Sequence, residues 1–505
     1  MLAVGHCVRL LLFFALLLVP IQPARATLTD TSVLRDRLTA DGILKHLRAL
    51  QTIADAHDGN RAAGTSGYAA SVEYVRQTLA TAGYAVSVQE FPFVYYNVEV
   101  QEGRTLQRSV LDLAPRAMMY SPSTPPDGLR GRLAIVAAAD DAALGCAASD
   151  FANQDYTNTI VVIKRGTCPF GQKARNARDA GAAAALIYNN VAEPDAPVAG
   201  TLGGPDQATI PAAGISRAVG EALVAQVVAS SSTINIVLNL QTTTETRTTS
   251  NVIAETPRGD ADRVVIAGAH LDSVLEGAGI NDNGSGVATL LEIAVQMARL
   301  KVTTDHQLRF AFWAGEELGL LGSQHYVDQL SPAERETVAL YLNFDMVGSP
   351  NYARFVYADA TTRFDLSAGA QTVEQVFGDY FAAQQLEIDT IPVGDRSDHG
   401  PFVAAGIPVG GLFTGAEGTK SESQAATYGG TSASAYDACY HAACDNLSNL
   451  NRAALEEMGD AAAHAILTFA EPRSLRQAPT QLAGNIGDSR DCGRLPVFRD
   501  RAIPC

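Results

Sequence analysis

The chain has 505 residues, 47% of them hydrophobic and 18% charged, with a formal net charge of -17. That balance is ordinary for globular protein, excludes a disordered chain, and gives room for about two or three domains. It also excludes nucleic acid as the partner, because phosphate binding needs concentrated Lys and Arg that the sequence lacks; solubility is the plain consequence of the acidic charge.

Residues 1–26 carry an early Arg9, an apolar block over residues 10–20 and the small-x-small sequence Ala24-Arg25-Ala26. This pattern reads as a secretory signal peptide cut after Ala26. No later stretch approaches the about 20 apolar residues of a membrane span, so a mature protein without membrane contact is expected, exported to the periplasm or outside the cell. Cys7 leaves with the signal, and Cys146, Cys168, Cys439, Cys444, Cys492 and Cys505 remain. An even count in an exported chain points to disulfides. Sequence neighbours pair naturally, Cys146 with Cys168, Cys439 with Cys444 and Cys492 with Cys505, although other connectivities stay open on paper.

Residues 33–56 have helical apolar spacing, with Leu44, Leu47, Leu50 and Ile53 near one face, and residues 67–82 read as a second helix. In the turn-rich loop between them, Arg61 is placed to face a cleft or, as the plainer reading of a lone loop arginine, to be a solvated surface residue. Residues 85–93 alternate as an edge-like strand. From 115 to 240 the character changes to short Val and Ile runs at 133–136, 160–163 and 185–188, many glycines and an alanine-rich, helix-like DAGAAAA. The strings VVIKRGTCPFGQKARNARDAGAAAALIYNN and ATIPAAGISRAVGEALVAQV resemble the protease-associated domain inserted in several secreted peptidases. That resemblance implies a β-rich α+β insert without catalytic residues, one that shapes access to a cleft, binds partners or acts as a spacer.

The segment 264–345 organises the rest. Three apolar runs, at 264–267, 308–313 and 340–344, read as buried strands of an α/β sheet, and each ends in charge: His270 and Asp272, then Glu316 and Glu317, then Asp345. These groups gather at the carboxyl edge of parallel strands, where such sheets carry their sites. Helices are expected at 287–300, 371–385 and 453–469, and a strand-like run at 402–413 broken by Pro408. A Gly-, Ser- and Thr-rich loop covers 415–434, and the Pro- and Arg-rich tail 471–505 is poorly suited to a core.

A hydrolytic metal site needs imidazole and carboxylate ligands plus a carboxylate left free to move a proton. His270 precedes Asp272 by two, a spacing at which a carboxylate can orient a ligating histidine. Asp282 lies in the turn GINDNGSG. Glu316 and Glu317 repel each other unless a cation is near, one suited to bind it and the other to act as base. His441 sits between Cys439 and Cys444, where a disulfide would hold it, and the neighbouring Tyr440 can donate to an oxyanion. Taken singly, Asp345 is also a plain strand-end acid and Asp282 a plain turn residue.

The segments AHLDS, GINDNGSGVA, GEELGLLGS, NFDMVG, RSDHGPF and CYHAACDNLSN resemble the signature segments of the secreted co-catalytic di-zinc aminopeptidases of the bacterial leucyl-aminopeptidase and yeast aminopeptidase Y type. The likeness spans 245–470, and GNRAAGTSGYAASVEYVRQTLATAGY fits the family's amino-terminal segment. It implies a mixed, mostly parallel sheet flanked by helices, built from residues 27–114 and 241–470 around an insert at 115–240. It makes His270 and Asp345 ligands of one zinc, Glu317 and His441 ligands of a second, Asp282 the bridge, Glu316 the general base and Arg396 a substrate-holding residue. The implied substrates are peptides with a free amino terminus and an apolar first residue. Some members of that family carry calcium as a modulator. His46, His57, His306, His325, His399 and His464 read as structural. Three rivals remain: a di-zinc carboxypeptidase or dipeptidase, a one-zinc cyclising transferase, and a non-catalytic relative that has lost ligands. A serine triad has weak support, since Gly284-Ser285-Gly286 lacks the nucleophile-elbow spacing and no histidine stands out as its partner.

Overall fold

The computed structural model describes residues 30–107, 110–136, 144–152, 154–191, 195–207, 209–229, 233–358, 364–366, 369–470 and 476–477. The signal expected at 1–26, the expected pair of Cys492 with Cys505 and all but Arg476–Gln477 of the tail 471–505 lie outside the described residues.

These residues divide into two compact units. The first holds residues 30–62, 66–88 and those from Asn251 onward. Its strands are the end of β1 (Asn235–Glu255), β2 (Asp260–His270), β3 (His306–Trp313), β4 (Val338–Phe344), β5 (Phe355–Ala358), β6 (Asp389–Pro392) and β7 (Val409–Phe413). They lie in the order β6-β5-β7-β4-β2-β3-β1, with β1/β3 and β5/β7 antiparallel and the other neighbours parallel. This mixed, mostly parallel sheet is flanked by α1 (Ala40–Ala56), α2 (Ser66–Ala82), α3 (Gly284–Leu300), α4 (Leu321–Gln329), α5 (Val373–Ala383), α6 (His399–Ala404) and α7 (Arg452–Ala470).

Burial explains the elements. Period-two alternation sends Val264 and Ile266 to one face of the sheet, where they join Trp313, Tyr326 and Phe402, and Val265 and Ala267 to the other. Tyr341 and Phe402 stack at 4.1 Å between ring centroids. In α1 the buried set is Ala40, Ile43, His46, Leu47, Leu50 and Ala54; Leu44 and Ile53 are only partly covered, so the core stripe is rotated from the expected one. His46 reaches Glu292 of α3 at 3.2 Å, and Tyr84 donates to Ala294 O at 2.9 Å.

Several local expectations are corrected. Residues 402–413 are not one strand: Phe402 belongs to α6, Gly406 at φ 75° ends that helix, and β7 begins only after Pro408. The loop 415–434 contains a short helix, Glu422–Tyr428, started by the reciprocal cap of Ser421 and Gln424. DAGAAAA is not helical. The helix Phe170–Asp179 stops there, Gly181 turns at φ 93°, and a strand starts at Ala184.

The second unit holds residues 63–65 and 89–250. Strands Leu129–Ile135, Thr159–Lys164, Ala184–Tyr188 and Ala212–Ile215 run parallel in sequence order, and Leu129–Arg132 pairs antiparallel with Asn235–Leu238. Cys146 and Cys168 are disulfide-bonded. Two 21-residue strands, Ala85–Thr105 and Asn235–Glu255, carry the chain in and out, so residues 89–114 and 241–250 pack with this unit.

Candidate metal centre

Parallel register brings the site together. His270, the last residue of β2, pairs with Trp313, the last of β3, and Asp345 follows the last residue of β4. Glu316 and Glu317 follow β3 in the turn before α4. Asp282 stands just before α3, whose N-cap Asn283 accepts from Gly286 N–H and donates to Phe344 O, both at 2.9 Å. Any side chain at position 286 would strike Phe344 O at 2.1 Å, so glycine there lets the helix seat on the end of β4.

Asp282 is the meeting point. Its Oδ1 lies 3.2 Å from His270 Nε2 and its Oδ2 lies 3.3 Å from His441 Nε2. Asp345 Oδ1 is 3.3 Å from the same His270 nitrogen, and Glu317 Oε2 is 2.9 Å from the same His441 nitrogen. Three sets therefore converge: His270, Asp282 and Asp345; Asp282, Glu317 and His441; and His270, Glu316 and Glu317. Within each set the ligand atoms lie within 4.8 Å of one another. His270 is buried, whereas 40% of the His441 side chain is exposed, so the cluster opens to solvent on the His441 side. Tyr440 stacks on His441 at 3.9 Å. Arg396 is mostly exposed and pairs with Glu417 at 2.9 Å.

A web of hydrogen bonds holds these groups. His270 Nδ1 faces the Asp272 carbonyl oxygen at 3.1 Å, with the carboxylate farther away at 3.7 Å. That carboxylate instead accepts from Glu316 N–H (3.2 Å) and Glu317 N–H (3.4 Å). Cys439 and Cys444 are disulfide-bonded around His441, which adopts a left-handed φ of 54°, an uncommon conformation for a residue with a Cβ. Arg61 corrects the sequence reading. It is fully buried, donating to Leu271, Ala278 and Gly279 carbonyls, because the loop after His270 turns its oxygens inward. Burial pulls its guanidinium down to about 10, against Asp272, Asp445 and other neighbours that favour the charge.

The electrostatics call for a cation. Burial, then Glu317, Asp345 and Asp398, push Glu316 well above the carboxylate range, although His270 opposes. Burial and Asp282 raise Glu317 to about 7. Burial alone would depress both histidines, yet the surrounding carboxylates hold His270 well above its ordinary value and His441 at about 11. Meanwhile His270 Nε2, Glu317 Oε1 and Asp345 Oδ1 are buried without a hydrogen bond. A buried imidazole nitrogen and carboxylate oxygens gathered without hydrogen bonds are the donors that zinc takes, so the residues present fit that ion.

None of the other described histidines belongs to the converging sets. His46 bonds Tyr74 (2.6 Å), His57 bonds Ser66 (2.8 Å), and His464 bonds Thr31 (2.9 Å). His306 is buried at the start of β3, His325 lies on α4, and His399 packs on Tyr357. Sequence reasoning missed Ser397, which donates to Asp345, and Asp445, which accepts from the Asn281 and Asp282 amides. Ser397 lies in the segment RSDHGPF and Asp445 in CYHAACDNLSN, but nothing in their spacing states what they touch.

Residues 251–466 match Peptidase family M28, and residues 130–223 match the PA domain. An aminopeptidase of Pseudomonas aeruginosa (strain UCBPP-PA14) is 42% identical over 438 residues, 84% of this chain and 80% of that one. Leucine aminopeptidase 2 of Trichophyton tonsurans is 38% identical, over 89% of this chain and 87% of its own. Among solved structures, a zinc aminopeptidase from Bacillus subtilis aligns with a TM-score of 0.60 at 28% identity, covering 85% of this chain and 94% of that chain. With a relative of that identity over most of its length, and a sheet whose strand ends gather this donor set, the chain belongs to peptidase family M28 and carries a PA domain.

Proposed function

We propose that the chain is an exported zinc aminopeptidase that releases apolar first residues, such as Leu, Met or Phe, from peptides with a free amino terminus. The observation that carries this reading is Asp282, whose two oxygens each face a different histidine. His270 and Asp345 would hold one zinc, Glu317 and His441 a second, with Asp282 shared. The relatives named aminopeptidase and leucine aminopeptidase 2 support the reaction and the apolar preference. The signal at 1–26 supports export. Calcium as a modulator rests on the family resemblance alone.

Zinc supplies a Lewis acid for the scissile carbonyl and a water acidic enough to attack at neutral pH. The protein does the rest. Glu316 takes the proton of the attacking water and delivers it to the leaving amine nitrogen. Tyr440, kept protonated by burial and then by Asp282 and Glu317, donates its phenolic hydrogen to the oxyanion, a contribution of about 3 kcal/mol. Asp272, through the amides of Glu316 and Glu317, sets where both carboxylates point. Arg396 would hold the substrate at the exposed side. The family resemblance assigns 27–114 and 241–470 to the catalytic unit, 115–240 to the PA domain and 471–505 to a separate tail, although 89–114 and 241–250 pack with the second unit.

The test is hydrolysis of leucine p-nitroanilide against its amino-terminally acetylated form, with zinc quantified per chain. Cleavage of the free amine alone, with about two zincs bound, is expected. Cleavage of both substrates, or only of peptides at a free carboxyl terminus, would overturn the aminopeptidase reading.

A further inference from the structure

The segment 271–282 joins His270 to Asp282, so its shape decides where Asp282 stands relative to both histidines. It forms neither helix nor strand and is mostly buried, so its backbone polar groups need partners from elsewhere in the chain. Two side chains from distant parts of the sequence supply them.

Arg61 serves the carbonyls. Its Nε donates to Ala278 O at 2.9 Å, one terminal nitrogen donates to Leu271 O, and the other to Gly279 O at 2.7 Å. The Arg61 backbone N–H also donates to Ser273 Oγ at 2.9 Å. Asp445 serves the amides. Its Oδ1 accepts from Asn281 N–H at 2.8 Å, its Oδ2 from Asp282 N–H at 3.0 Å, and its carbonyl from Ile280 N–H at 3.3 Å. Both residues are buried, at 0% and 2% exposure.

Each residue type suits its task. A guanidinium presents donors in several fixed directions at once, whereas an ammonium is a point charge. A carboxylate has two acceptor-only oxygens for two amides, whereas an Asn would turn its own NH2 against one of them. Asp445 also follows Cys444 directly, and its N–H bonds Ala442 O at 3.0 Å, so the carboxylate that fixes Asp282 is attached to the disulfide loop carrying His441.

The geometry points to Arg61 and Asp445 as a matched pair of positioning residues that set the spacing between the His270 and His441 sides of the cluster. One gathers the carbonyls and the other the amides of a single buried segment, and neither is itself a member of the converging ligand sets. The chemistry they serve rests on the two-zinc reading above. A merely structural role would cost stability without changing how the ion is held.

The test uses the full-length protein and its Arg61→Lys and Asp445→Asn variants. Zinc affinity is read by competition with a chromophoric chelator, the ligand field by the visible spectrum after Co2+ loading, and kcat and KM on leucine p-nitroanilide. Zinc affinity is expected to fall about 10- to 100-fold in each variant, the range for partners standing behind metal ligands. The Co2+ spectrum is expected to change, and kcat to fall with KM nearly unchanged. Folded variants with wild-type zinc affinity and Co2+ spectrum would overturn the inference while leaving the two-zinc reading intact. Wild-type protein that binds no zinc would overturn the two-zinc reading, and this inference with it. Should both variants fail to fold, hydrogen exchange on the metal-free wild type decides. Slow exchange at the Asn281 and Asp282 amides is expected, and fast exchange there overturns the pairing.

Discussion

Ser397 donates its hydroxyl hydrogen to Asp345 Oδ2 at 2.6 Å, leaving Oδ1 of the same carboxylate aimed at His270 Nε2. Asn343 in turn donates to Ser397 Oγ at 2.8 Å, so a chain of side chains from β4 fixes which oxygen faces the cluster. Ser397→Ala is expected to lower zinc affinity by about tenfold. Competition titration with a chelator checks this. Unchanged affinity would mean that Asp345 keeps its orientation without the serine.

Glu316→Gln keeps the volume and removes the proposed base. The turnover number is expected to fall by about 10²- to 10⁴-fold. Zinc content should stay at the wild-type level, because the role given to Glu316 is proton transfer. A variant that loses metal in proportion to activity would make Glu316 a ligand instead.

His441 is held in a left-handed backbone conformation between two bonded cysteines. Such a conformation costs about 1 to 3 kcal/mol and persists only when its surroundings enforce it. Replacing Cys439 and Cys444 together by Ser is expected to weaken zinc binding about tenfold or more. Activity should return when excess zinc is added. Full activity of the double variant at limiting zinc would show that the disulfide is dispensable for placing the ligand.

Far from the site, Asp460 on α7 is pushed up to about 7 by burial, with Glu456 and Asp36 adding to the rise and Arg35 opposing it. Its Oδ1 is buried without a hydrogen bond. A folded pKa above the unfolded value of about 3.9 means that stability from this group is complete at low pH and is lost as pH rises through about 7. Asp460→Asn is therefore expected to stabilise the protein at pH 8. The size is on the order of 1 kcal/mol after discounting for partial exposure, or about 2 to 4 °C in Tm. At pH 5 the gain should shrink. Thermal melts at both pH values check it, and an equal difference at both would remove charge as the cause.

Much of the centre was legible because chemistry and local pattern coincide there. His270, Glu316, Glu317 and Asp345 end or follow β-forming runs, and a buried parallel strand announces itself by an apolar stretch whatever its partners are. Arg61 was misread for the opposite reason. Its value lies in three carbonyls 210 to 218 residues away, and backbone carbonyls carry no sequence signal. The run 402–413 was misread because α6 and β7 are both apolar and only the four residues 405–408 separate them, where periodicity alone does not separate helix from strand.

The sequence by itself determined the alternation of strand and helix, the kinds of ligand and the edge of the sheet where they gather, since each follows from composition and spacing over a few residues. Only the tertiary structure decided that Asp282 faces both histidines, that Ser397 orients Asp345, and that Arg61 takes carbonyls and Asp445 amides of the segment between His270 and Asp282. These are hydrogen bonds and ion pairs between residues 12 to 218 positions apart. Their free energy depends on direction and burial, which exist only once the chain has closed on itself.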